Sequence, residues 1–263
     1  LLLFGCKAFE GKTYFSGDPL TEDIKMGESM KNEILTNSTE FPVDKDSKLN
    51  KYLQSIIDEI LKSPEIKNKT VFKYNITVLD RTDVINAFSL PGGNLFIYKG
   101  MLRFIDDEAT LAAVIAHEIA HSELRHTYFR VRSQEGFGNL IDKAFKKDEY
   151  KAAKTAANIA KNLSFLSNSR DNELEADKNA LNYLKSTKWY PAAMLTFFDK
   201  ISALVSQSGN QLDGLLSTHP LAKDRIDALK ELSIKMKILP PNEDNLNYYG
   251  YQDKLVEFGL INQ

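Results

Sequence analysis

The sequence has little histidine and almost no cysteine: four of the first and one of the second in 263 residues. A single cysteine excludes an internal disulfide and any cysteine-rich zinc module. A transition metal would therefore have to be held by imidazoles and carboxylates. An excess of positive charge is missing too. Lys+Arg is 34 against 36 for Asp+Glu, a net charge of −2, which argues against nucleic acid as a partner and against a basic membrane-surface protein. Long apolar runs are absent. The most apolar internal stretch, Leu111 to Ala116, falls far short of the ~18–20 residues a spanning helix needs, so the body of the chain is expected to be soluble. No repeat with a period of 20–50 residues is visible. What remains is ordinary globular composition, 43% hydrophobic and 27% charged. A chain of this length buries roughly 70–75% of its unfolded surface, so its core needs no staples.

The one cysteine follows Leu1-Leu2-Leu3-Phe4-Gly5. A short apolar run, a small residue and then cysteine is the pattern of a lipoprotein signal tail, cut before the cysteine. Residues 1–5 are read as its remnant and Cys6 as a lipid anchor, which tethers a protein to a membrane without spanning it. Residues 6–45, rich in Gly, Ser, Thr and acidic residues with Pro19 and Pro42, read as a tether or an extended arm packed on the domain. Residues 46–240 read as the main folded domain and 241–263 as a tail packed on it.

Within the domain, Leu49, Leu53, Ile56, Ile57 and Ile60 recur at helical spacing. Val71 to Leu79 alternates as a strand, and Val84 to Tyr98 reads as two strands around Pro91-Gly92-Gly93-Asn94. Asp106-Asp107-Glu108 sets negative charge at a helix start, and that helix is expected to run to about Arg130. A mobile connection is expected over 133–150 and an Ala-rich helix over 151–166. Further helices are expected over 171–185, 191–205 and 220–236, with a loop over 209–218. The fold class is α+β: mainly helical, with a small sheet packed on the helix that carries His117.

That helix carries His117-Glu118-Ile119-Ala120-His121, an HExxH motif. Residues four apart share a helix face, so both imidazoles can reach one metal ion, and Glu118 can touch a water bound to it. With four His and 17 Glu, chance placement gives roughly 0.004 copies. A third His at the metzincin spacing would fall on Thr127, which excludes that class. His126, nine residues after His117, lies about 180° away on a continuing helix and reads as structural. The third ligand must then be a carboxylate on another helix or His219. In Ser169-Arg170-Asp171-Asn172-Glu173-Leu174-Glu175-Ala176-Asp177, Glu173 and Asp177 share a face. One could ligate the metal while the other orients a ligand histidine. Glu175 points roughly 200° from Glu173 and reads as solvated.

HExxH followed by this distant Ser-Arg-x-x-Glu-x-Glu-Ala-Asp helix resembles the HtpX-type, CAAX-prenyl-protease-like zinc metallopeptidases, a gluzincin family. Asn86 to Gly93, Leu124-Arg125-His126, and Thr218-His219-Pro220 with Arg225 resemble further family segments in the right order. The resemblance covers about residues 50–235 and is to the soluble, lipoprotein-type bacterial branch. It implies a zincin-like fold, one Zn2+ ion held by His117, His121 and Glu173, Glu118 as general base, and Asp177 orienting a ligand histidine. It gives His219 a place near the metal, stabilising the reacting oxygen or capping the ion in a resting state. It sets Arg225 against the oxyanion or a ligand carboxylate.

The reading is a metalloendopeptidase that hydrolyses unfolded or misassembled envelope proteins by Glu118-assisted attack of a zinc-bound water. The peptide would lie extended along Asn86, Ala87, Phe88 and Ser89, or along Leu95 to Tyr98. The expected place is the bacterial cell envelope, periplasm-facing. Two alternatives remain: a lipid-anchored envelope binding or chaperone-like protein with a structural zinc, and a latent enzyme closed by His219.

Overall fold

The computed structural model describes residues 7–9, 12–14, 19–133, 167–205 and 212–262. The anchor expected at Cys6, the connection over 133–150 (beyond Ser133) and the helix over 151–166 lie outside the described residues.

Two short antiparallel strands, β1 (Lys7–Phe9) and β2 (Lys12–Tyr14), precede the first helix. That helix, α1 (Leu20–Thr36), replaces the extended arm expected there. Met26, Met30 and Ile34 sit four apart on one face and are buried, against Phe41, Leu90 and Phe96 in the smaller of two apolar clusters. Proline and glycine density suggested an irregular segment, but burial of this stripe outweighs weak local propensity. Gly27 allows the fit, since a Cβ there would lie 1.8 Å from the Pro91 carbonyl oxygen.

Helix α2 (Ser47–Ile60) forms as its periodicity predicts, with the Asp46 carboxylate accepting from the amides of Lys48 and Leu49. It buries all five apolar positions. Strand β3 (Asn75–Leu79) pairs parallel with β5 (Asn94–Tyr98), and β4 (Ala87–Ser89) pairs antiparallel with β5, giving the order β3-β5-β4. All five residues of β5 are buried, as a central strand requires. Gly92 and Gly93, at φ 79° and 101°, make the turn between β4 and β5.

Helix α3 (Lys99–Phe104) leads into α4 (Glu108–Glu123), which carries the HExxH motif. Asp107, not Asp106, caps α4 by accepting from the Thr110 amide at 2.8 Å. Every residue of α4 is buried, so the helix is the axis of the core rather than a surface helix with one wet face. It ends earlier than expected. Arg125 adopts φ 61°, and a new helix, α5 (His126–Ser133), begins. The bend is held by Asp23 of α1, whose carboxylate accepts from Arg125 Nη2 at 2.6 Å and from its Nε.

Helix α6 (Arg170–Leu184) packs along α4, with Ser169 as its cap. Helix α7 (Met194–Val205) starts after a turn at Pro191 rather than at the proline. A short helix, α8 (Asp213–Thr218), occupies the expected loop. Then come α9 (Lys223–Lys235), α10 (Glu243–Leu246) and α11 (Tyr248–Glu257). The C-terminal segment is tied to the core by Tyr251, which donates to the Leu102 carbonyl at 2.7 Å. The fold is α+β, mostly helical, with the small sheet against α4. Among the described residues, no helix is long and apolar enough to cross a membrane.

Candidate metal centre

One turn of α4 sets His117 and His121 on the same face, and their Nε2 atoms lie 3.0 Å apart. Helix α6, packed alongside, delivers Glu173 to the same point. Its Oε1 is 3.1 Å from His121 Nε2 and its Oε2 3.4 Å from His117 Nε2. His219, just after α8, brings Nδ1 to 3.1 Å from Glu173 Oε1. Donor atoms of these four residues lie within 4.8 Å of one another. Two donors on a tetrahedral zinc would stand roughly 3.3 Å apart, given Zn–N distances of about 2.0–2.1 Å. The spacing and the nitrogen-and-oxygen donor set therefore fit zinc.

A shell of charge surrounds the donors. Asp177, one turn after Glu173, places Oδ1 2.9 Å from His117 Nδ1. Arg225 donates from Nε and Nη2 to both Asp177 oxygens, at 2.7 and 2.8 Å. Its Nη1 is 2.8 Å from Glu173 Oε2 and also donates to the Pro220 carbonyl. Of the two roles expected for Arg225, the contact with carboxylates is the one present, and it occupies all three guanidinium nitrogens.

Electrostatics follow from this crowding. Burial disfavours an imidazolium at His117, but Glu173 and Asp177 outweigh it and raise the ring to about 10. Burial holds His121 well below the ordinary value despite Glu173, and the imidazoles of His117 and His126 add to the effect. Burial also opposes charge on Glu173, yet His219, His117 and His121 keep its carboxyl well below the usual range.

His126 is where the sequence reading of geometry fails. A continuous helix would turn it away, but the left-handed Arg125 resets the chain and brings its Nδ1 to 3.0 Å from His121 Nδ1. Glu175, expected in solvent, is about half exposed, and its Oε2 stands 3.4 Å from His126 Nε2. Arg130 and Asn168 were also missed. Arg130 is half-buried, the desolvation of its guanidinium lowers it to about 10, and its Nη1 donates to Asn168 Oδ1. The Asn168 amide nitrogen lies 3.5 Å from His121 Nε2. No sequence spacing signals this pair; the approach of an arginine and an asparagine to the motif is visible only in three dimensions.

Glu118, next to His117, is not one of these donors. Its Oε1 is 3.5 Å from His219 Nε2, and it lines both hollows that open on the site. The edge of β4 borders the same hollows. Tyr98 donates to the Asn86 carbonyl and Leu90 to the Asn94 carbonyl. By antiparallel alternation the backbone of Phe88 also faces β5, while Ala87 and Ser89 turn theirs outward. The Ala87 amide donates to Asn86 Oδ1 and the Ser89 carbonyl accepts from Thr127 Oγ1. The Ala87 carbonyl and the Ser89 amide also face away from β5, in residues that are each 3% exposed. Leu95 to Tyr98, the other segment considered for an extended peptide, is the central strand and has no open edge.

Residues 47–233 match the family described as "Peptidase family M48". The chain belongs to peptidase family M48. The match covers well over half of the chain and agrees with the metallopeptidase resemblance carried by the motifs. The M48 chain is similar to the "Beta-barrel assembly-enhancing protease" of Escherichia coli (strain K12), with 26% identity over 234 residues, 85% of this chain and 46% of the relative. It is also similar to the "Mitochondrial metalloendopeptidase OMA1" of Schizosaccharomyces pombe, with 29% identity over 188 residues, 68% of this chain and 52% of the relative. The corresponding figures for the Arabidopsis thaliana protein of that name are 30% over 156 residues, 59% and 31%. The chain thus spans about half or less of the length of these relatives. Metalloendopeptidase, the enzyme class implied by the resemblance, is the class the OMA1 relatives carry in their name.

Proposed function

We propose that the chain is a zinc-dependent endopeptidase, with His117, His121 and Glu173 holding the ion and Glu118 acting as general base. The observation that carries this is the convergence of two imidazoles of α4 and a carboxylate of α6, with a second buried carboxylate, Glu118, beside them and outside the donor set. A bound zinc ion would lower the pKa of a water to about 7 and polarise a carbonyl. Glu118 takes a proton from the attacking water as the new C–O bond forms. It returns that proton to the amine as the C–N bond breaks. A peptide would add as a strand to β4, the edge strand, pairing with the Ala87 carbonyl and the Ser89 amide. His219 stands where it can donate to the carbonyl oxygen or close the site as a fourth donor. Asp177, fixed by Arg225, orients His117. The Cys6 anchor, the periplasm-facing place and unfolded or misassembled envelope proteins as substrates belong to this proposal. The name of the Escherichia coli relative supports the last.

The test is metal analysis joined to cleavage of unfolded casein. One zinc per chain is expected, with activity lost on chelation and restored by zinc. A metal-free protein that still cuts would refute the reading.

His126 leans on His121 as Asp177 leans on His117, so His126→Ala should weaken zinc binding about 10–100-fold. Competition with a chromogenic chelator measures this, and an unchanged affinity would make the contact incidental.

A further inference from the structure

Of the two hollows beside Glu118 and His219, one is walled by apolar side chains such as Val114, Phe197 and Ile201. The other is polar, lined by Ser89, Thr127, Arg130, Asn168 and Thr218. Asn168 stands just ahead of α6 and is 6% exposed. Its backbone amide donates to the Thr218 carbonyl at 3.0 Å, next to His219. Its Oδ1 accepts from Arg130 Nη1. A guanidinium only donates, so the side-chain oxygen must face Arg130 and the NH2 group must face the other way. That way lies the donor cluster. Asn168 Nδ2 is 3.5 Å from His121 Nε2, the nitrogen that meets Glu173 Oε1 at 3.1 Å.

Asn168 Nδ2 offers two hydrogens and no acceptor, so it can donate at this site but cannot ligate. Its contact with His121 is long. Once Nε2 ligates, the lone pair there is committed, and Asn168 needs another acceptor. His219 is placed differently. Both of its ring nitrogens already face carboxylates, Nδ1 toward Glu173 and Nε2 toward Glu118. Desolvation lowers Arg130 only to about 10, with Glu173 and Glu118 raising it, so a cation stands behind the Asn168 dipole at neutral pH. Donors fixed in advance where negative charge develops are a large source of rate in a site that excludes water.

We propose that Asn168 donates from Nδ2 to the carbonyl oxygen of the scissile bond as that oxygen becomes negative, and that Arg130 is the positioning residue that holds the amide in this orientation. This rests on the endopeptidase reading. The hydrogen bond strengthens as the carbonyl carbon turns tetrahedral, and no proton leaves the amide. Arg130 acts through Asn168: it fixes the amide plane and polarises it by a charge-assisted hydrogen bond.

The test compares Asn168→Ala and Asn168→Asp with the parent, each as the zinc-loaded full chain cutting a peptide taken from casein. Asn168→Asp keeps an acceptor for Arg130 and removes the donor. Both should lower kcat by about 10²–10³-fold, with KM little changed and zinc at one ion per chain. A phosphonamidate peptide, whose tetrahedral anionic group mimics the intermediate, should bind both variants about 10²-fold more weakly. Binding of the intact peptide, measured in the Glu118→Gln background, should not change. Arg130→Met should lower kcat about tenfold, Arg130→Lys should restore most of the loss, and Arg130→Met should add nothing to Asn168→Ala. Parental kcat in either Asn168 variant, loss of zinc, or equal weakening of the analogue and the intact peptide would overturn the role of Asn168 and leave the endopeptidase reading standing. Full additivity of the Arg130 and Asn168 substitutions would overturn the positioning role. A zinc-loaded parent that cuts neither casein nor the peptide would overturn both readings.

Discussion

Glu118→Gln should lower kcat/KM on unfolded casein by about 10²–10⁴-fold while zinc content stays at one ion per chain. The substitution keeps the shape of the side chain and removes only its ability to take a proton. The donor cluster is built from His117, His121, Glu173 and His219, so Glu118 can lose its charge without loss of a donor. Its nearest ionic partner is His219 Nε2 at 3.5 Å, a long contact to which an amide oxygen can still serve as acceptor. The buried site therefore gains no unpaired charge, and thermal stability should move little. Parental activity in the variant would remove Glu118 from the mechanism. Loss of zinc together with activity would mean that it holds the metal instead.

Arg225→Met should destabilise the metal-free protein by about 3–5 kcal/mol, measured by urea unfolding near pH 7. Glu173 and Asp177 are both fully buried and Arg225 is 3% exposed. One guanidinium spans the two carboxylates, with contacts of 2.7, 2.8 and 2.8 Å. Methionine fills much of the same volume but leaves Asp177 with only His117 and Glu173 with only imidazoles. The cost is that of a buried charge left without its partner. Zinc supplies a new cation to Glu173, so the deficit should shrink when the ion is present. A loss below about 1 kcal/mol in the metal-free protein would show that the network is better hydrated than its burial indicates.

Much of the site was legible before any fold was known. HExxH is a local statement, because four residues make one helical turn and place two imidazoles side by side. Glu173 and Asp177 were legible as a pair for the same reason. Which of them faces the metal was not, since that depends on how α6 rolls against α4. The resemblance assigned Glu173, and the packed helices bring Glu173 among the donors and Asp177 behind His117. His126 was misplaced because helical periodicity assumes an unbroken helix. The left-handed turn at Arg125 is held by Asp23, 102 residues away, and no local window contains that partner. Helix α1 was hidden in the same way. Its apolar stripe is thin and becomes stable only against Phe41, Leu90 and Phe96.

The scarcity of cysteine and histidine restricted the chemistry to imidazole and carboxylate, and one local motif named the helix face and the carboxylate proposed as base. Periodicity set out most of the helices, and the glycine-rich turn located the β4–β5 hairpin. Tertiary structure decided the rest. It made β4 an edge strand and β5 the centre, seated Arg225 between two buried carboxylates, turned His126 onto His121, and separated an apolar hollow from a polar one. Each of these depends on surfaces far apart in the chain meeting at fixed distances. Burial and Coulomb energies are set by those distances, and sequence order does not encode them directly.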